Sequence, residues 1–471
     1  METYKIYCGG EFITTNESLS VINPYTNEVF AQTFLANEST LEIAINLALS
    51  AKEKMKELPS YKKAEALNYI ASEIKTNRQR LAEVLSKESA KPIKYALSEI
   101  DRAAQTFFVA AEESKRLPKE YISLDWTPNG EKREGFVNYF PIGIVAGIAP
   151  FNFPLNLAVH KIAPAIAAGC PIILKPASST PLSTLELAKI IDKTDLPKGA
   201  VSILPMTRQT GNLLITDSRI NLLSFTGSPE VGWPMKAQSG KKKVVLELGG
   251  NAGVIITESG LNENTITKCV MGAFAYSGQI CIHAQRIFVH EKVYNAFIKE
   301  FIQKTSALKF GNPLLSETDI SDMIDEANAQ RVESWIMEAV TKGAKLLHGG
   351  KRTGKYIEPT ILTNCNNDMK IYCEEAFGPT VCVETYNGNV TEAVKKVNDS
   401  KFGLQCGVFT YDISELDYCF KNLEVGGVIH NDVPTLRFDH MPYGGVKESG
   451  LGREGVKYAI LDMLEPKILV K

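Results

Sequence analysis

From residue 142 onward the chain alternates short, almost wholly apolar runs with longer stretches in which apolar residues recur every three to four positions. The first kind predicts buried strands and the second amphipathic helices. Strands are expected at residues 142–149, 171–175, 201–204, 221–225 and 243–246, with helices near 155–168, 181–193, 209–216 and 229–238 between them. Five strands with intervening helices predict a doubly wound parallel sheet, an α/β class that binds nucleotides at the carboxyl ends of its strands. A second α/β series follows Gly250: strands at 252–256, 286–289, 344–347, 381–386 and 407–410, and helices at 263–275, 293–309, 325–341 and 390–398.

Ahead of these series, residues 1–35 hold short alternating pieces around a turn at Asn23-Pro24, and residues 41–117 carry a helical period broken at Pro59 and Pro92. The polar, alternating segment 121–140 has Pro128-Asn129-Gly130 at its middle and reads as a β-hairpin. An exposed hairpin needs another edge to pair with, so it is a candidate subunit contact together with a final strand at 467–471.

A length of 471 residues implies two or three domains, and 44% hydrophobic with 23% charged residues is ordinary for a soluble globular chain. The net charge of -2 argues against a nucleic-acid or anionic-membrane partner. Nine cysteines without a C-x-x-C pair or a Cys/His ligand spacing read as reduced thiols, one of them reactive, with no disulfide framework and no metal site. The apolar stretch 142–174 is broken by Pro150, Pro154, Pro164 and Pro171 and charged at Lys161, which excludes a spanning helix; Met1 to Gly10 lacks an apolar leader core. A cytoplasmic location is expected.

The candidate chemistry centres on Cys281, in Tyr276-Ser277-Gly278-Gln279-Ile280-Cys281-Ile282-His283, and on Glu247 in a Glu-Leu-Gly-Gly turn. A thiolate attacks a carbonyl, and a carboxylate from another loop can take its proton or activate a water for thioester hydrolysis. His283 lies two residues from Cys281, and side chains at that spacing do not converge as a Cys-His dyad must. Asn152, in Ala149-Pro150-Phe151-Asn152-Phe153-Pro154 after a predicted strand, either donates to an oxyanion or makes a local turn between prolines. Lys175, in Leu174-Lys175-Pro176-Ala177-Ser178, meets an adenosine ribose or 2'-phosphate, or is a solvated charge. Phe225-Thr226-Gly227-Ser228-Pro229-Glu230-Val231-Gly232 spans a strand end and a helix start, where backbone amides can approach a pyrophosphate. Glu375 and Phe377 lie in Cys373-Glu374-Glu375-Ala376-Phe377-Gly378-Pro379, and a glycine-rich segment follows His440.

Taken in order, P-F-N-F-P, K-P-A-S, F-T-G-S, E-L-G-G, G-Q-I-C and E-E-A-F-G-P resemble the aldehyde dehydrogenase superfamily over essentially the whole chain. The resemblance implies a dinucleotide-binding domain (1–117 and 141–248), a catalytic domain (249–440) and a small β oligomerisation element (118–140 and 455–471), assembled as a homodimer or homotetramer. It implies Cys281 as nucleophile, the Asn152 amide and the Cys281 backbone N–H as oxyanion hole, and Glu247 as general base. Lys175 and Ser178 are similar to the adenosine-ribose contacts, Gly227, Ser228 and Gly232 to the pyrophosphate turn, and Glu375 with Phe377 to the nicotinamide-ribose site, with Phe151 and Leu248 completing the cofactor set.

Two departures from the family pattern matter. Ser178 stands where many NAD-preferring relatives have Glu, which removes a charge that would repel a 2'-phosphate; NADP is slightly favoured and NAD tolerated. Ile280 stands where relatives acting on phosphorylated or phosphonylated aldehydes often have Arg. Arg102, His160, Arg437 and His440 remain candidates for holding an anionic or hydroxylated substrate tail, or are structural residues and ion-pair partners. The pattern is closest to lactaldehyde- and phosphonoacetaldehyde-type relatives, so the expected activity is NAD(P)-dependent oxidation of a small polar aldehyde to its acid. The rivals are a CoA-acylating dehydrogenase, in which Glu247 would have no water to activate, and a non-catalytic nucleotide-binding protein of the same fold.

Overall fold

A computed structural model describes residues 2–471. Its first large sheet has eight strands, and its centre is the parallel set expected from the apolar runs: Ile144–Ile148, Ile172–Lys175, Val201–Ile203, Ile220–Thr226 and Lys243–Glu247. Within the sheet Ile144–Ile148 lies between Ile172–Lys175 and Ile220–Thr226, so the strand order reverses there. Reversal sends the flanking connections to opposite faces and opens a crevice at the carboxyl ends. The helix Asn156–Ala168, buried on every side, packs between this sheet and the long helix Ile93–Glu113. Its lack of a polar face follows from that double cover.

Both margins of the sheet come from distant parts of the chain. Ile6–Cys8 and Glu11–Ile13 form a hairpin that adds antiparallel to Val201–Ile203. At the other margin Gly450–Leu451 pairs antiparallel with Leu246 and Glu247, a strand too short to leave any period in the sequence.

The second sheet has seven strands in the spatial order Lys345–His348, Thr360–Thr363, Thr380–Tyr386, Arg286–His290, Gly253–Ile256, Gln405–Phe409 and Gly427–His430, all parallel neighbours except the first pair. The mixed α/β class is therefore as expected. Thr360–Thr363 and Gly427–His430 were not foreseen, being four-residue strands without clear alternation.

The hairpin at 121–140 comprises Lys119–Ser123 and Glu134–Pro141 around a short 3-10 turn, and its partner edge is the chain's own Leu464–Val470. The final strand begins three residues earlier than expected, because Leu464 is buried and pairs with Pro141. Tyr121, Ile468, Leu469 and Val470 leave about half their surface in solvent. The helix Val456–Asp462 just before this strand packs on Asn156–Ala168.

Candidate active site

The crevice at the reversal point opens into a cleft of about 570 Å³ between the two large sheets. The first sheet contributes Phe151 and Asn152 beyond Ile148, Gly227 and Ser228 beyond Thr226, and Leu248 beyond Glu247; the other half contributes Cys281, Glu375 and Phe377. The rings of Phe151 and Phe377 meet edge to face, with centroids 5.8 Å apart.

Several features fit a dinucleotide in this cleft. Ser228 precedes the ten-residue helix Pro229–Gln238 without its hydroxyl capping it; Pro229 has no N–H and the Val231 and Gly232 N–H groups bond the Ser228 carbonyl, so the Glu230 N–H is the first-turn amide open to an anion. A Cβ at Gly227 would stand 2.4 Å from the Phe225 ring, and one at Gly232 2.5 Å from Leu248; only glycine lets the turn lie this close to the strand. Glu375 is held by the Gly250 N–H at 3.1 Å, and burial pushes its carboxyl up to about 8 despite that bond and the nearby Arg331. Lys175 and Ser178 lie outside the cleft lining, at the end of the adjacent strand, where the Lys175 stem rests on Gly211. Burial first, and the Arg208 charge second, lower the Lys175 ammonium pKa, so two cations share this corner.

The cleft also holds residues that sequence reasoning missed. Asn328, Arg331 and Trp335 line it from the helix Glu326–Thr341, with Arg331 donating to the Ala376 carbonyl at 2.9 Å and stacking on Trp335. In sequence they belong to the polar face of an ordinary amphipathic helix, which looks like a solvent face.

Cys281 follows a turn of three successive left-handed residues, Tyr276 (φ 50°), Ser277 (φ 53°) and Gly278 (φ 67°). For Tyr and Ser this conformation costs roughly 1–2 kcal/mol each. It is held by Ser277 Oγ donating to the Ser321 carbonyl at 2.6 Å and by Tyr276 Oη donating to the Ser89 carbonyl at 3.3 Å. A Cβ at Gly278 would stand 2.0 Å from the Gly378 carbonyl oxygen, so the turn is pressed onto the Phe377 loop. Cys281 Sγ lies 3.1 Å from Tyr443 Oη, and burial pushes the thiol up to about 11, with Tyr443 acting in the opposite direction.

Asn152 donates one amide hydrogen to the Gln279 carbonyl at 3.0 Å, two residues before Cys281, which leaves its second hydrogen for an oxyanion. Its own carbonyl accepts from Lys91 Nζ at 2.6 Å, and Lys91 is paired with Glu99 in a fully buried bridge. Glu99 in turn accepts the Leu155 and Asn156 N–H groups at 3.1 Å each, pinning the loop that carries Asn152.

Glu247 is buried with neither carboxylate oxygen hydrogen-bonded. Burial raises its pKa well above the usual range, and the negative charge of Glu454 raises it further. Glu454 is the member that stays ionised: burial opposes its charge, but Lys161 at 3.1 Å and Arg437 at 3.0 Å overcome that and lower its pKa.

The charged net continues away from the cofactor cleft. Asp439 accepts from Arg102 at 2.7 Å, from His160 Nε2 at 2.8 Å and from Asn156 at 3.3 Å. His160 Nδ1 faces Arg437 at 3.5 Å; a guanidinium only donates, so Nδ1 is bare and the ring neutral. Burial first and Arg437 second lower the His160 pKa, in accord with that tautomer. Arg437 lies with its guanidinium carbon 3.7 Å over the Tyr443 ring, and its Nε has no partner. Ile280 packs beside Cys281 with Met441, whereas His440 is exposed and is not brought into this group. His283 is buried with Nε2 unpaired, burial lowering its pKa to about 4, and it faces no thiol. Among the described residues no cluster of His, Cys, Asp and Glu could hold a metal ion.

Comparison with known proteins agrees with this geometry. The model of the aldehyde dehydrogenase family matches residues 12–469. A 3-sulfolactaldehyde dehydrogenase of Priestia aryabhattai is 41% identical over 100% of this chain and 98% of its own, and a lactaldehyde dehydrogenase of Methanococcus aeolicus is 40% identical over 99% of each. Aldehyde dehydrogenase 21 of Physcomitrella patens, solved in complex with the reaction product succinate, superposes with a TM-score of 0.98 at 45% identity, covering 100% of this chain and 98% of that one. A glyceraldehyde-3-phosphate dehydrogenase of Methanocaldococcus jannaschii, solved with NADP, superposes with a TM-score of 0.93 at 38% identity, covering 97% of this chain and 99% of that one. Five of the six sequence segments meeting in one cleft, the sixth at the end of the adjacent strand, and a family match spanning nearly the whole length lead to one conclusion: this chain belongs to the aldehyde dehydrogenase family.

Proposed function

We propose that this NAD(P)-dependent aldehyde dehydrogenase oxidises a small hydroxylated or anionic aldehyde to its carboxylic acid through a covalent Cys281 intermediate. The observation that carries the reading is that Cys281 and Asn152 line one cleft while an unpaired, buried Glu247 and an Arg437 whose buried Nε lacks a partner lie near enough for their charges to act on the Cys281 sulfur. The Cys281 thiolate, its proton already lost to solvent, bonds through Sγ to the carbonyl carbon as the C=O electron pair moves onto oxygen. The free Asn152 N–H and the Cys281 backbone N–H meet that charge. A nicotinamide held by Glu375 and Phe377 would supply the hydride acceptor, the C–H bond breaking as the alkoxide re-forms C=O in the thioester. Glu247 then takes a proton from the water that attacks the thioester, and Cys281 departs as thiolate.

A buried guanidinium with a spare donor suits a hydroxyl, carboxylate, sulfonate or phosphate on the substrate tail, and Arg102 lies in the same net across Asp439. Relatives named for sulfolactaldehyde and lactaldehyde, and a succinate-bound structure, are in keeping with such tails. Ser178, Lys175 and Arg208 favour NADP, since no carboxylate there opposes a 2'-phosphate. The half-exposed face of Tyr121, Ile468, Leu469 and Val470 fits the oligomerisation role of a homodimer or homotetramer, and nine free cysteines fit a reducing cytoplasm.

The test is absorbance at 340 nm with NADP and then NAD over a panel of propionaldehyde, glycolaldehyde, lactaldehyde, succinate semialdehyde, glyceraldehyde 3-phosphate and phosphonoacetaldehyde. Turnover concentrated on hydroxylated or anionic members, with free acid as product in the absence of CoA, is expected. Equal rates across the panel would remove the tail-binding role of Arg437 and Arg102; acid formation that requires CoA would make it an acylating enzyme.

A further inference from the structure

The nucleophile has a second neighbour that the mechanism above does not use. Tyr443 is 3% exposed, its hydroxyl lies 3.1 Å from Cys281 Sγ, and that hydroxyl makes no other hydrogen bond among the described residues. Its position is fixed from both sides. The Tyr443 N–H donates to the Glu454 carbonyl at 3.0 Å and the Glu454 N–H returns the bond at 2.6 Å, while the ring packs with Ile282 and Leu404. The Arg437 guanidinium covers the ring face and is itself anchored by Glu454.

We propose that Tyr443 is a further catalytic residue, whose phenol O–H donates to the Cys281 thiolate and whose donating power is raised by the Arg437 cation on its ring. This rests on the reading of Cys281 as nucleophile and adds the means by which its charged form is supported.

Four groups face the Cys281 sulfur. The carboxyls of Glu375 and Glu247, when ionised, oppose a thiolate, and burial opposes it more strongly than either. Arg437 favours it by charge, and Tyr443 is the hydrogen-bonded group that favours it directly. A donor to the charged form is worth more in a dry site than in water, since nothing else solvates the sulfur. A cation over the ring draws electron density from the π face and strengthens the O–H as a donor. Burial, Cys281 and Glu247 all raise the phenol pKa, so Tyr443 stays protonated and donates; it does not serve as a base.

The test is the pH dependence of Cys281 alkylation by iodoacetamide, read by mass spectrometry of the Cys281 peptide, in the wild type and in Tyr443→Phe. The substitution keeps the ring, its packing and the Arg437 stack, so melting temperature and NADP binding should not move. The alkylation midpoint should rise by about one pH unit, and kcat/KM at neutral pH should fall about tenfold and recover as pH rises. Superimposable alkylation curves would overturn the proposal. Should Tyr443→Phe fail to fold, 3-fluorotyrosine in place of Tyr443 supplies a stronger donor and should lower the midpoint; an unmoved midpoint there overturns it equally. If full alkylation of wild-type Cys281 left oxidation intact, the nucleophile reading itself would fall and Tyr443 with it, an outcome distinct from a normal nucleophile indifferent to Tyr443.

Discussion

On the cofactor-facing side of Cys281 the cleft wall is made of backbone and rings: Gly227 against Phe225, Gly249 against the Glu375 carboxylate, and Phe151 edge-on to Phe377. On the opposite side the wall is a net of charged side chains, in which Lys161, Glu454, Arg437, His160, Asp439 and Arg102 are linked one to the next. The first wall recognises largely by shape, because bare amides and flat rings present the same surface whatever the pH, with Glu375 the member whose charge changes. The second recognises by charge, and each of its members depends on the next for its own. A substitution in the first should therefore alter one contact, and a substitution in the second should spread.

The sharpest test of that contrast lies where the walls meet. Asn152→Ala removes one donor to the developing alkoxide and should lower kcat by about 10²–10³-fold. Because the lost amide bond runs only to the Gln279 carbonyl, the stability cost should stay near ~1 kcal/mol. Steady-state kinetics alongside urea unfolding would check both; a collapse of stability together with activity would show that the shape wall is not independent of its neighbour.

Next in size, Asp439→Ala strips the charge net of its central acceptor. Breaking a fully buried pair costs about 3–5 kcal/mol; with Arg102 retaining a quarter of its surface in solvent, about 2 kcal/mol is expected. Burial would raise the Asp439 carboxyl, but the His160 hydrogen bond and the Arg102 charge hold it well below the usual carboxylate range. A depressed carboxylate stabilises fully above its unfolded value and loses that stabilisation as pH falls towards the folded one. The difference in unfolding free energy between wild type and Asp439→Asn should thus be flat from neutrality to about pH 4 and shrink below it. A difference that changed near neutral pH would mean that His160, not Asp439, titrates in the net.

Smallest is Ser178→Glu at the adenosine end. A carboxylate beside Lys175 and Arg208 should raise KM for NADP about tenfold and leave KM for NAD nearly unchanged, at constant kcat. An equal rise for both cofactors would place Ser178 away from the 2' position.

The two walls also differ in how much of them the sequence discloses. Gly227, Ser228, Glu375 and Phe377 sit inside short segments at the ends of strands or tight turns, where backbone requirements restrict residue choice and leave a readable signature. The charge net joins residues 337 positions apart for Arg102 and Asp439, 293 for Lys161 and Glu454, and 279 for His160 and Asp439. No local pattern encodes such pairs: Lys161 reads as a charged interruption of an apolar helix, and His160, a substrate-tail candidate from sequence, gives no sign there of its Asp439 partner. The parallel strands were legible because burial on both faces forces continuous apolar runs. Gly450–Leu451 was not, since two residues in an antiparallel edge carry no period. His440 was a candidate by proximity to the glycine-rich loop, and the chain turns it outward while Asp439 beside it turns in.

That two-residue edge bears on how the protein is made. The strand bearing Glu247 receives its outer neighbour only from Gly450–Leu451, and the hairpin strand Glu134–Pro141 receives its partner only from Leu464–Val470. A ribosome that has released residues 1–250 has thus delivered a sheet with an open margin beside Glu247. Both edges close only once residues 450–470 have been made, and a chain that stops short of them exposes two unpaired strand edges of the kind that chaperones and proteases act on.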